Sequence, residues 1–225
     1  AISNDGETAL AFAVTQGKIA CVEMLLNAKA DVNVKNTYSS IPLNAAATVG
    51  DTACLQMLLD ARADVNAKDH NGDTALTIAA YHGHRACLQL LLAAKANVNT
   101  RNNSGDHAVI MAADCGHSEC LRVLLDAKAE LDAKDERGDT ALIVAALKGH
   151  TEYLQLLLNA KASLDVANKN GATALIAAVT RGQNECLKML IDAKADVKNP
   201  IGAIALTMGI RCGGHTDCLQ MLLDA

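Results

Sequence analysis

The chain repeats itself about every 33 residues, and no other feature of the sequence limits the fold as strongly. Gly72, Gly105, Gly138 and Gly171 lie 33 residues apart, and Gly6 lies two such periods before Gly72. Aligned on these glycines, GDTALTIAAYHG and GDTALIVAALKG are copies of one segment, and CLQMLLDARADVN and CLRVLLDAKAELD are copies of a second. Seven copies follow one another along the 225 residues. Self-similarity at this period predicts a solenoid of stacked units.

Each copy has the pattern of two short helices joined to the next copy by a turn. In the third copy, Thr74 is a helix N-cap and Gly83 a C-terminal stop. The second helix begins near Arg85. The predicted buried positions are Leu76, Ala79 and Ala80 in the first helix, and Cys87, Leu88, Leu91 and Leu92 in the second. Helices this short are marginal alone in water, so they must stack on their neighbours. Residues 65–73 contain Asn71-Gly72, which predicts a hairpin-like reversal.

Composition and charge exclude several classes of partner. The formal net charge of −5 is evenly spread, and no basic stripe rich in aromatics occurs, so we expect no nucleic-acid partner. No apolar run approaches the length of a membrane span, so we expect no membrane contact. Eight cysteines are too sparse for a disulfide scaffold, which favours reduced thiols in a cytoplasmic, intracellular protein. We expect a monomer.

A 33-residue unit that carries G-x-T-A-L and then A-A-x-x-G-H resembles the ankyrin repeat family, over nearly the whole chain. The resemblance implies a predominantly α ankyrin-type solenoid of stacked helix-turn-helix repeats, joined by β-hairpin-like turns. We expect a single ankyrin repeat domain over residues 1–225. Its seven repeats are expected at about 3–35, 36–68, 69–101, 102–134, 135–167, 168–198 and 199–225.

The chain departs from the family pattern in three places. The family's T-P-L-H segment appears as TALT, TALI or IPLN, so its threonine-to-histidine hydrogen bond is absent. The family's glycine after the second helix is replaced by Lys29, Arg62, Lys95, Lys128, Lys161 and Lys194. Each costs about 1 kcal/mol relative to glycine if the left-handed conformation is kept. The last junction is shorter and contains Asn199-Pro200, so we expect a looser C-terminal unit. Neither end has the polar face of a terminal repeat, so we expect a longer parent protein or further covering segments.

The stretch from His82 to Cys87 raises the question of a metal site. One column of the repeat contains His84, His117, His150 and His215, and another contains Cys21, Cys54, Cys87, Cys120, Cys186 and Cys218. We interpret the cysteines as buried apolar residues and the histidines as hydrogen-bonding groups at helix starts. His82 and His84 flank a glycine and are expected to diverge, so no metal is predicted there. Two incomplete ligand sets stay open: Cys115, His117 and Cys120, and Cys212, His215 and Cys218.

Nothing in the sequence points to catalysis or to a cofactor. No phosphate-binding loop, nucleophile elbow or H-E-x-x-H helix occurs. Carboxylates recur along one edge of the repeat at Glu7, Asp73, Asp106 and Asp139, and basic residues recur at Lys35, Lys68, Arg101 and Lys134. We interpret this edge as solvated and of mixed charge, and we predict that the chain is not an enzyme.

The positions that vary most between copies mark a candidate binding surface. The resemblance implies that the end of each first helix lines a concave groove together with the turn tips. The predicted partner-binding residues are Tyr38, His70, Asn71, Asp73, Tyr81, His82, Asn103, Asp114, Leu147, Lys148 and Arg181. Tyrosine is enriched at interface hot spots, and the chain has only three tyrosines. The alternative is that Tyr81 merely packs on its neighbour.

Three functional hypotheses follow. The first is a non-catalytic protein–protein interaction module, or scaffold, that binds a protein or peptide through the groove and turn tips. The second is a recruitment segment of a larger enzyme or effector, and the third is a structural spacer. The resemblance also implies that turn asparagines such as Asn33, Asn66 and Asn99 are of the kind hydroxylated in family members.

Overall fold

The computed structural model describes residues 8–35, 41–198 and 201–225. These residues form fourteen short helices in seven consecutive pairs. The helices are α1 (Ala9–Thr15), α2 (Ile19–Asn27), α3 (Pro42–Val49), α4 (Thr52–Asp60), α5 (Ala75–His82), α6 (Arg85–Ala93), α7 (Ala108–Cys115), α8 (Ser118–Asp126), α9 (Ala141–Lys148), α10 (Thr151–Asn159), α11 (Ala174–Thr180), α12 (Asn184–Asp192), α13 (Ile201–Cys212) and α14 (Thr216–Asp224). Odd-numbered helices pack on one another in one row and even-numbered helices in a second row. The predicted α solenoid is confirmed.

Threonine caps begin four of the inner, odd-numbered helices, α1, α5, α9 and α11. The Thr74 hydroxyl accepts a hydrogen bond from the Thr77 N–H, and the Thr77 hydroxyl accepts one from the Thr74 N–H at 3.0 Å. Thr77 therefore takes over the place of the family's histidine in a reciprocal capping box. Gly83 ends α5 with φ 77°, and a Cβ at this position would lie 2.6 Å from the His117 ring of the next pair. Both the left-handed conformation and the close approach require glycine.

A basic residue with a positive φ follows each of the first six outer, even-numbered helices, at the positions that the sequence predicts. Lys29, Arg62, Lys95, Lys128, Lys161 and Lys194 have positive φ values between 58° and 69°. In the third pair, the N–H of Ala96 donates to the carbonyl of Leu91 at 2.9 Å, so a carbonyl in the last turn of α6 has a hydrogen-bond partner. The stacking of neighbouring pairs must therefore offset a cost of about 1 kcal/mol at each of these positions.

The turns between pairs have the predicted hairpin-like hydrogen bonds. The Asp69 N–H donates to the Asp73 carbonyl at 2.9 Å, and the Asp69 carboxylate accepts from the Asn71 and Asp73 N–H groups. Successive turns are also joined, because the Asn103 N–H donates to the Asn71 carbonyl at 2.8 Å. The turns therefore form a continuous edge along one side of the solenoid.

The cysteine column is buried with one exception. Cys54, Cys87, Cys120, Cys186 and Cys218 are at most 1% exposed, as predicted, whereas Cys21 is exposed. This column faces the preceding pair, since the Cys218 thiol lies 2.8 Å from Asn184 of the pair before it. Cys21 belongs to the first described pair, which no other described pair precedes, so the prediction of burial was wrong there. Leu92, also predicted to be buried, is only half-buried because it lies at the rim of the outer row.

The seventh pair is less regular than the others. Helix α13 has 12 residues, against 7 or 8 in the other inner helices. The side chains of Ile204, Ile210 and Leu223 are 44%, 65% and 67% exposed. Asn199-Pro200, to which we attributed the irregular junction, lies outside the described residues. Among the described residues, the seventh pair packs only on the sixth, so less of its apolar surface is buried there.

We expect the seventh pair to open before the rest of the solenoid. Backbone amides in residues 205–225 should exchange with solvent faster than those in residues 75–125, since local opening costs least where few apolar contacts are made. Native-state hydrogen exchange measures this directly. Equal protection of the two ranges would contradict the expectation.

Candidate binding groove

An open groove runs along the inner helices from α5 to α11 and has a volume of about 580 Å³. Its floor is apolar and contains Ile110, Met111, Val144 and Leu147. Charged side chains form its two edges, one at the turns and one at the C-terminal ends of the helices. The complete lining is Tyr81, Ser104, Asp106, Ile110, Met111, Asp114, Asp135, Glu136, Arg137, Asp139, Val144, Leu147, Lys148 and Arg181.

Five of the predicted partner-binding residues line this groove together: Tyr81, Asp114, Leu147, Lys148 and Arg181. Equivalent positions in stacked pairs lie side by side, so residues 33 or more apart in sequence become neighbours. Lys148 Nζ lies 2.8 Å from Asp114 Oδ1, and this pair is half-exposed, so it contributes little to stability. The Tyr81 side chain is 41% exposed. An aromatic ring in this position is available for contact.

His82 lies beside the groove and does not diverge from His84, so that prediction was wrong. The His82 and His84 rings are nearly parallel, with centroids 5.9 Å apart, and the Tyr81 ring meets His82 edge-on at 5.2 Å. The left-handed turn at Gly83 reverses the chain, which places both rings on one face. Burial lowers the pKa of His82, and the nearby His84 adds to the decrease. His82 is therefore neutral at pH 7.

Two histidines of the column, His84 and His150, make hydrogen bonds at the starts of outer helices, as predicted. His84 Nε2 lies 3.1 Å from the Thr48 carbonyl oxygen, and His150 Nε2 lies 3.2 Å from the Asp114 carbonyl oxygen. Each ring thus ties the start of an outer helix to the end of the preceding inner helix. We therefore interpret these histidines as structural residues and not as metal ligands.

The predicted turn-tip residues serve mainly to join the turns. The Asn103 side chain donates to the His70 carbonyl at 2.9 Å, and the Asn71 carbonyl accepts from the Asn103 N–H. Asp73 accepts from Asn102 at 3.0 Å and from Thr77 at 3.1 Å. His70, Asn71, Asp73 and Asn103 are absent from the groove lining. Tyr38 lies outside the described residues.

The recurring basic residues are exposed, as expected for a solvated edge, and they donate to backbone carbonyls of the next turn and not to the recurring carboxylates. Lys68 Nζ donates to the Arg101 carbonyl at 2.7 Å, and Arg101 donates to the Lys134 carbonyl at 2.9 Å. Lys35 makes the same contact with the Lys68 carbonyl at the preceding junction, and Lys134 with the Ala167 carbonyl at the following one. Backbone carbonyls of the next turn are the nearer acceptors, so these cations join turns. The carboxylate at Asp73 is half-buried, and burial raises its pKa.

A series of amide bridges connects the half-buried carboxylates and is broken at one pair. The Asn102 amide donates to Asp73 at 3.0 Å, and the Asn168 amide donates to Asp139 at 2.6 Å. The equivalent residue between them is Asp135, a second carboxylate that has no amide to donate to Asp106. Burial raises the pKa of Asp106, and the negative charge of Asp135 adds to the increase, against a lowering contribution from Asn102. Both carboxylates line the same edge of the groove.

Replacing Asp135 with asparagine is expected to stabilise the protein by about 1 kcal/mol at pH 7, because the new amide restores the bridge to Asp106. The Asp135 carboxylate accepts from the Arg137 and Asp139 N–H groups, and an asparagine oxygen keeps both bonds. Folding raises the pKa of Asp106, so this carboxyl group contributes stability below its ordinary value of 3.8. That contribution is lost as the pH rises through the raised value.

The gain from Asp135→Asn should therefore be larger at pH 7 than near pH 4. Denaturant unfolding of the two proteins at both pH values measures the difference. Asn170→Asp, at an exposed turn site, is the control for a change of one unit in net charge, here in the opposite direction. A loss of stability in Asp135→Asn would contradict the account.

The two open ligand sets are not brought together by the fold. In the described ranges, no three His, Cys, Asp or Glu side chains are arranged to hold a metal ion, and this includes both cysteine–histidine sets. The eight cysteines are free. Burial raises the pKa of Cys54 to about 12 and that of Cys120 and Cys186 to about 11, so these thiols stay protonated and are poor metal ligands.

The sequence reasoning missed the floor and the acidic edge of the groove. Ile110 and Val144 are 4% and 8% exposed, so their apolar identity indicated only a core position. Asp106 and Asp139 recur in register and were assigned to a solvent edge, and Asp135 was not singled out. The signal that was available is the change from Asn102 to Asp135 to Asn168 at one position of the turn.

Stacked helix pairs with an open groove along one row of helices define a repeat protein of the kind that binds partners by an extended surface. Models of ankyrin repeats match this chain over residues 5–37, 43–135, 128–201 and 162–225. These matches cover most of the chain, and the protein belongs to the ankyrin repeat family. Ankyrin repeats are protein–protein interaction modules.

A solved structure is similar over the full length of the chain. It is the crystal structure of the ankyrin repeat domain of Bcl-3, described as a unique member of the IkappaB protein family. The TM-score is 0.84 at 26% sequence identity, over 99% of this chain and 100% of that one. No curated protein sequence matches the chain significantly. Among the described helices, none is long and apolar enough to cross a bilayer.

Proposed function

We propose that this protein is a non-catalytic interaction module that binds a segment of a protein partner along the groove between Tyr81 and Arg181. The observation that carries the proposal is the apolar floor between two charged edges, which continues across four helix pairs. Interfaces combine an apolar centre with a polar rim in the same way. An extended segment that crosses several pairs contacts each of them at once.

The same geometry argues against catalysis as the main role. The groove is open to solvent, and its one described ion pair, Lys148 with Asp114, is half-exposed. Catalytic groups work best where water is excluded and where their pKa values are shifted towards the working pH. The eight free cysteines support a role in a reducing, cytoplasmic compartment.

A hydrogen-exchange footprint tests the proposal. The intact protein is used to capture a partner, and the purified partner is then titrated back onto it. We expect exchange to slow in α7 and α9 and in the turns before them, which line the groove, and to stay unchanged in α8 and α10. Protection confined to α8 and α10 would contradict the proposal.

A further inference from the structure

The acidic edge of the groove has one place where the following turn supplies no amide to a half-buried carboxylate. Asp73 and Asp139 each accept an amide from the following turn, from Asn102 and Asn168. At Asp106 the equivalent residue of the following turn is the carboxylate Asp135, and both side chains line the groove. Five carboxylates and three basic side chains line the groove, which leaves it with an excess of two negative charges. A cation placed at Asp106 and Asp135 would restore the missing donor.

An apolar pocket of about 220 Å³ continues the groove towards the C-terminus. Ile143, Leu147, Ile176, Ile204 and Met208 line it, from three successive inner helices. Ile204 is 44% exposed although it faces this pocket. The pocket is small and mostly apolar, which suits one aliphatic side chain.

The acidic pair and the pocket belong to one continuous surface. Leu147 and Asp139 line both the groove and the pocket. Asp106 precedes α7 and Asp135 precedes α9, whereas the pocket is centred on α11. Neighbouring helices pack ~8–10 Å apart, so the two features are separated by about 15 Å. An extended chain advances ~3.3–3.6 Å per residue and covers this distance in about four or five residues.

We infer that the partner segment carries a lysine or arginine that binds between Asp106 and Asp135, and an aliphatic side chain, about four or five residues away, that fills the pocket beside Ile204. This inference rests on the proposed function and adds the chemistry of the partner to it. A guanidinium or ammonium group supplies the donors that the asparagine provides in the neighbouring turns. The aliphatic side chain contributes to binding because its apolar surface is buried away from water in the pocket.

Peptide selection tests the inference without a known partner. A random library of 12-residue peptides is selected on the immobilised intact protein and, separately, on Asp135→Asn. We expect peptides from the first selection to be enriched in a basic residue spaced four or five positions from Leu, Ile, Val or Met. Peptides from the second should lack the basic preference but keep the aliphatic one. Asp135→Asn is the matched control because it is expected to fold more stably.

The affinity of a selected peptide completes the test. It should fall about tenfold on Asp135→Asn, and by a similar factor when its basic residue is replaced by glutamine. Ile204→Ser should weaken it about fivefold or more through the pocket alone. Selected peptides with no basic preference, or an unchanged affinity on Asp135→Asn, would overturn the inference. The proposed function would still stand if Tyr81→Ala weakened the binding of those peptides. If no peptide bound the groove, the proposed function and the inference would both be contradicted.

Discussion

Replacing Tyr153 with alanine should lower the free energy of unfolding by about 3–5 kcal/mol, the largest stability effect that we expect from one substitution. Tyr153 occupies the cysteine column in α10, and its ring is 0% exposed. Its hydroxyl donates to the Val109 carbonyl of the preceding pair at 2.7 Å. Burial raises the pKa of Tyr153 well above its usual value, so the hydroxyl keeps its proton. The substitution removes both a filled volume and a tie between two pairs.

Tyr153→Phe separates the two contributions. It keeps the ring and should cost about 1 kcal/mol, the net value of a hydrogen bond. Denaturant unfolding followed by circular dichroism measures both variants, with Gln155→Ala on the exposed face of the same helix as a control. A loss below about 1 kcal/mol for Tyr153→Ala would show that α10 does not depend on this residue.

Replacing Tyr81 with alanine should weaken partner binding by about 1–2 kcal/mol or more, the behaviour of an exposed aromatic anchor. The ring is 41% exposed at the N-terminal end of the groove and contacts His82 edge-on. Its removal leaves the buried residues in place, so stability should change little. Isothermal titration calorimetry with a purified partner gives the change in affinity, and thermal melting gives the stability.

Substitutions on the outer helices provide the matched comparison. Gln56→Ala removes a bond to Asp60 within α4, and Arg122→Ala removes exposed ion pairs with Glu119 and Glu152. Each should leave the affinity within about 0.5 kcal/mol of the original. If these variants weaken binding while Tyr81→Ala does not, the partner binds the opposite face of the solenoid.

The repeat period made the architecture predictable from sequence. Each helix pair is defined by local signals, such as the cap at Thr74 and the stop at Gly83, and the same signals recur every 33 residues. The core positions in α5 and α6 followed from helical spacing. A repeat also predicts which residues become neighbours, which is why Asp114 and Lys148 could be placed together before their ion pair was seen.

Features that depend on a neighbouring pair or on side-chain direction were not predictable in this way. The exposure of Cys21 depends on which side of the pair its column faces, and periodicity does not give that direction. The stacking of His82 on His84 depends on the path of the chain through a left-handed glycine. The acidic pair of Asp106 and Asp135 depends on which groups of two successive turns line the groove, and the repeat period alone does not give that.

Photo-crosslinking tests most directly whether the groove is the binding surface. A benzoylphenylalanine at position 81 replaces an aromatic ring in the groove, and the same group at position 56 lies on an exposed site of outer helix α4. The account predicts that irradiation of the complex links the partner to position 81 and not to position 56. A crosslink from position 56 with none from position 81 would contradict it.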